Sequence, residues 1–72
     1  MVFVTSYTNG GRTVESNLTT VSAILADLDL TARGVSYRVY ASNGEERKGL
    51  RSTTGLNEND EVDIQRSSTK NG

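Results

Sequence analysis

Val21-Ser22-Ala23-Ile24-Leu25-Ala26-Asp27-Leu28 is the stretch on which the fold turns. Val21, Ile24, Leu25 and Leu28 stand at i, i+3, i+4 and i+7, so a helix puts all four on one apolar stripe. Thr19 or Thr20 is placed to act as N-cap, its hydroxyl accepting from a backbone N–H that the first turn leaves orphaned. A helix of roughly two to three turns is not stable by itself in water. It must lie on a sheet, and Leu30 with Arg33-Gly34 ends it.

The sheet is sought on either side. Upstream, Val2-Phe3-Val4-Thr5-Ser6-Tyr7 is rich in β-branched and aromatic residues and reads as a strand. Asn9-Gly10-Gly11 supplies positive φ for a hairpin turn, and Arg12-Thr13-Val14-Glu15 returns with Val14 pointing inward. The parity of the first strand is open: Val2 and Val4 face the core and Phe3 the outside, or the reverse. Downstream, Val35-Ser36-Tyr37-Arg38-Val39-Tyr40 alternates with the strand period, and Asn43-Gly44 marks a turn. Glu45 to Arg51 suits a short edge strand guarded by charge. Ser52 to Asn59 is loop with Leu56 tucked under it, and Glu61 to Arg66 forms the last strand.

The order β-β-α-β-β-β predicts an α+β fold: a mixed four- to five-stranded sheet with one helix packed across it and the first and last strands side by side. That is the β-grasp, or ubiquitin-like, arrangement, expected over residues 1–66. Residues 67–72 lack any apolar anchor and are expected to form a flexible tail.

Seventy-two residues make one domain. The candidate core is Val2, Val4, Val14, Leu18, Val21, Ile24, Leu25, Leu28, Leu30, Val35, Val39, Leu50, Leu56, Val62 and Ile64, enough for one sheet face and one helix. Ligand pockets usually need roughly 300 Å³ or more of walled space, which this supply does not enclose, so an enzyme is not expected. The chain has neither cysteine nor histidine. Disulfides, thiolate nucleophiles and the usual zinc ligand sets are thereby excluded, and no cofactor is called for. No apolar run approaches the roughly 20 residues of a membrane span, and no signal peptide is visible. The expectation is a cytoplasmic protein, in the host cytoplasm if viral.

The net charge is −1, but it is unevenly spread. Residues 32–54 carry Arg33, Arg38, Arg47, Lys48 and Arg51 against Glu45 and Glu46, between two stretches with acidic excess. Asn57, Asn59, Glu61 and Asp63 alternate like calcium ligands, yet Val62 and Ser68 stand where an EF-hand loop needs glycine and glutamate. Tyr37, Arg38 and Tyr40 could clamp single-stranded nucleic acid, but a pI near 5.2 lacks the electrostatic footprint. The surface that survives is the sheet face left open by the helix. Phe3, Tyr40, Arg38 and Tyr7 are placed there as an aromatic and arginine mix of the kind enriched at binding hot spots. With the basic middle this gives Phe3, Arg38, Tyr40, Arg47, Lys48 and Arg51 as the expected contact residues for a protein partner. An outward Phe3 is either a partner contact or a homodimer contact.

Arg12-Thr13-Val14-Glu15, the helix from Thr20-Val21 to Leu25-Ala26-Asp27-Leu28, the turn at Asn43-Gly44, and Leu56-Asn57-Glu58-Asn59-Asp60-Glu61-Val62 together resemble the sulfur-carrier proteins of the ThiS/MoaD type. They also resemble short β-grasp proteins of phage genomes. The carrier resemblance implies activation of a C-terminal glycine by an E1-like adenylating enzyme, with Gly72 as the acyl carrier. Asn71 stands where the carriers have their penultimate glycine, and its Cβ is a departure from that pattern.

Overall fold

The computed structural model describes residues 1–66. Four strands and one helix follow in the order β1 (Val2–Ser6), β2 (Thr13–Ser16), α1 (Val21–Asp27), β3 (Val35–Tyr40) and β4 (Glu61–Arg66). The strands form one mixed sheet, ordered β2-β1-β4-β3. β1 and β4, from opposite ends of the chain, run parallel at its centre; both outer pairings are antiparallel. The small α+β architecture is therefore as expected, but the strand expected over Glu45–Arg51 is absent. That segment makes a single bridge, Tyr40 to Glu46, and then leaves the sheet. Leu50 turns to pack on the core, and Ser52 accepts a backbone hydrogen bond from Ser22 at the start of α1. Anchoring the helix has taken the place of extending the sheet.

The hairpin between β1 and β2 contains a short 3₁₀ turn, Tyr7–Asn9, so the first strand stops at Ser6. The Ser6 hydroxyl caps this turn by accepting from the Thr8 N–H, and Gly10 and Gly11 take the positive φ that reverses the chain. Thr20 is the N-cap of α1, accepting from the Ala23 N–H at 3.1 Å.

Val2 and Val4 face the helix, which resolves the parity of the first strand and turns Phe3 and Thr5 to the other side. They pack with Val21, Ile24, Leu25, Val35, Val39, Val62 and Ile64 into one core. Leu18, Leu28, Leu30, Leu50 and Leu56 close its edges, with Tyr37 among them. Val14 is the exception. It lies on the helix-bearing face, opposite Val4, yet stays 45% exposed, because β2 extends beyond the cover that α1 provides.

Candidate functional site

One sheet face carries the helix; the other is bare among the described residues. The strand registers dictate what this open face shows. Glu15, Phe3, Glu61 and Tyr40 form one row across all four strands, and Thr13, Thr5, Asp63 and Arg38 form the next. Phe3 and Tyr40 are half-buried and flank Glu61, while Arg38 stands opposite Asp63 and is exposed. Thr5 and Thr13 share a hydroxyl hydrogen bond of 2.7 Å, which ties the hairpin on this side.

Arg38 titrates above the ordinary arginine range. The Tyr40 oxygen beside it favours the charged form, by hydrogen bonding and by charge, and Glu46 and Asp63 add to this. It is thus a permanent cation on a face otherwise rich in carboxylates: Glu15, Glu61 and Asp63, with Glu46 nearby. A shallow depression of about 120 Å³ lies between Ser36, Tyr37, Arg38, Asp63 and Gln65. This is well under the roughly 300 Å³ of a small-molecule site.

The six expected contact residues do not form one patch. Phe3, Arg38 and Tyr40 come together on the open face. Arg47 is instead tied to Asp60, a carboxylate only 1% exposed, which also accepts from the Asn57 N–H. This ion pair ties the first half of the long β3–β4 connection to its last residue and holds the entry to β4. Lys48 and Arg51 are exposed on that connection; Leu50 packs on the core and Ser52 binds the helix start, which puts Arg51 on the helix-bearing side. The basic middle of the sequence is therefore dispersed in space. Tyr7 opens the 3₁₀ turn at the end of β1, with the Arg66 guanidinium 5.5 Å from its ring centroid. Tyr37 points to the helix-bearing side and donates its hydroxyl to the Leu50 carbonyl, so it cannot form a stacking pair with Tyr40. Asn71 and Gly72 lie outside the described residues.

The residue that sequence reasoning missed is Asp60. Its burial carries no local signal, because it sits in the polar run Asn57-Glu58-Asn59-Asp60-Glu61. No group of three or more potential metal ligands gathers among the described residues, and no helix there is long and apolar enough to cross a membrane. Comparison of the chain with protein-family models, curated proteins and solved structures gives no match.

Proposed function

We propose that this chain is a non-catalytic interaction module of the β-grasp type, binding a protein partner through its open sheet face. The β-grasp reading is supported by parallel first and last strands at the centre of the sheet, with one helix crossing a single face. The observation that carries the function is the alignment of Phe3, Tyr40 and Arg38 on the uncovered side by the strand registers. Two aromatic side chains beside an exposed guanidinium are the residue types from which hot spots are built. The surrounding carboxylates Glu15, Glu61 and Asp63 favour a partner whose rim is basic, because complementary rims speed and orient encounter.

The test is a photoreactive amino acid placed at Phe3 or Tyr40 in the full chain and irradiated in cells. A discrete adduct is expected from these positions, none from the exposed helix residue Ser22, and loss of the adduct with Arg38→Glu. Truncating a residue of this kind costs a partner complex about 2 kcal/mol or more, close to thirtyfold in affinity. Equal labelling from Ser22 would refute the open face as the contact surface.

A second reading is a sulfur or conjugation carrier acting through Gly72, next to Asn71. It is supported by the place of β4 between β1 and β3, since a carrier's reactive end follows such a central last strand. Incubation with an E1-like enzyme, ATP and a sulfur donor, followed by intact-mass measurement, is expected to show an oxygen-to-sulfur increment. Activity untouched by deletion of Gly72 ends that reading.

A further inference from the structure

The sheet has two edges, and they are treated differently. Part of the β3 edge is covered by the segment that follows it: the Arg47 N–H donates to the Val39 carbonyl at 2.7 Å, and the Ala41 N–H donates to Glu45 at 2.8 Å. The Tyr37 hydroxyl holds Leu50 close to the same strand. β2 has no comparable cover among the described residues. Its free backbone groups can be assigned. The Phe3 N–H donates to the Asp60 carbonyl, so the peptide groups of Phe3 and Thr5 turn toward β4, and those of Val2 and Val4 turn toward β2. Val14 and Ser16 then bond back to β1, leaving Thr13 and Glu15 with N–H and C=O directed outward. Unpaired edges of this kind invite another strand.

The side chains add a second feature. Val14 is 45% exposed on the helix-bearing side of this edge. Beside it a shallow groove of about 80 Å³ is lined by Leu18, Ile24 and Leu28 together with Ser16 and Asp27.

We propose that β2 pairs antiparallel with β2 of a second copy, about a two-fold axis through Val14. In this register Thr13 faces Glu15 of the second copy, and Glu15 faces its Thr13, as two hydrogen-bonded pairs. Val14 meets its own counterpart in the intervening non-hydrogen-bonded pair, where side chains approach most closely. Arg12, the residue before β2, falls opposite Ser16 of the second copy, which lines the groove together with Asp27. Shifting the axis to Glu15 would oppose two glutamates. Shifting it to Thr13 would set Val14 against Arg12 and Glu15 against Gly11. Only the Val14-centred register satisfies the outward backbone groups, covers the exposed valine and matches charge. The result is one continuous sheet with both helices on the same face, which leaves both Phe3–Tyr40 faces free.

The contact is small, so association is weak and must be followed over concentration. Sedimentation velocity and amide NMR spectra of the full chain are compared from about 10 μM to about 1 mM. The average mass is expected to rise toward a dimer, with shifts centred on Thr13 and Glu15 and with Val14–Val14 methyl contacts in an isotopically mixed sample. Val14→Asp, at a site exposed enough to tolerate it, should weaken association at least tenfold. Glu15→Pro should do the same by removing an outward N–H while sparing the Val4–Val14 pairing. A monomer at the highest concentration overturns the proposal. So does a dimer whose shifts map to Phe3 and Tyr40, or one that persists in a folded Val14→Asp variant. The wild-type measurement decides even if a variant fails to fold.

Discussion

Asp60 occupies an environment that no other acidic side chain of the described fold shares. It is 1% exposed, with the Arg47 guanidinium on one oxygen and the Asn57 N–H bonded to the same carboxylate. Its backbone is engaged as well, the carbonyl accepting from Phe3 and the N–H donating to Asn57. The residue therefore fixes where β4 begins beside β1. A buried carboxylate is tolerable only while its charge is met, and removing Arg47 leaves Asp60 desolvated with the Asn57 N–H alone against its charge. Asp60→Leu is expected to destabilise the fold by about 3 kcal/mol, read as a fall in the urea midpoint with unchanged slope. Arg47→Met should cost a similar amount, and the double variant much less than the two together, since each single change already breaks the pair. A near-zero effect of Asp60→Leu would mean that the ion pair does not hold this turn. Neither role is legible in the sequence. The partners stand thirteen positions apart, and both belong to residue types that are usually solvated. Arg47 consequently reads as a surface cation until the turn at residues 57–60 is folded.

At the scale of the elements, the short helix shows which signals are local enough to read. The stripe Val21, Ile24 and Leu25 is visible from spacing alone, and all three are buried. The termination is harder to see, because it uses Asp29 where glycine is usual. Asp29 has φ 61°, its N–H donates to the Ala26 carbonyl, and the Leu30 N–H reaches back to Leu25 at 2.8 Å. These two bonds form a Schellman stop, closed by the apolar pair Leu25 and Leu30. A non-glycine residue in the left-handed region is strained, and a carboxylate at a helix C-terminus opposes the macrodipole. Asp29→Gly is therefore expected to stabilise the protein by about 1 kcal/mol, a gain for a glycine substitution, measurable by urea or thermal unfolding. Thr20→Ala, at the other end, should cost about 1 kcal/mol through loss of the cap. If Asp29→Gly destabilised the protein, the Asp29 side chain would have to be making a compensating contact. The segment Glu45–Arg51 illustrates the opposite limit. Its composition permits an edge strand, but whether it becomes one depends on competition between the β3 edge and the start of α1. The Ser22-to-Ser52 bond and the burial of Leu50 decide that competition through contacts remote in sequence.

At the scale of the whole molecule, stability rests on joining the two ends of the chain. β1 and β4 are paired through Phe3–Glu61, Val4–Val62, Thr5–Asp63 and Ser6–Ile64, with nearly sixty residues between the partners. The central pairing therefore closes almost the entire chain into a loop before its contacts can form, and non-local topologies of this sort fold slowly, in about milliseconds to seconds. Once made, it is covered on one side by α1 and flanked on both edges by antiparallel neighbours, whereas β2, among the described residues, has a neighbour on one edge only. A domain of this size has a total stability of roughly 4–10 kcal/mol, too little to support several independently opening units. Hydrogen exchange should reflect this hierarchy. At low concentration, where self-association is negligible, the outward amides of Thr13 and Glu15 are expected to exchange nearly as freely as unfolded chain. The amides of Phe3, Thr5, Val62 and Ile64, directed between β1 and β4, should exchange only through global unfolding, with a free energy equal to that from urea. Asp60→Leu should lower the protection of all four by the same amount as it lowers global stability, because it loosens the turn that sets their register. Protection in β1 and β4 falling below the urea value, while β3 kept its own, would show that the two ends can part without the rest unfolding. The central parallel pair would then be an accessory to the fold rather than its keystone.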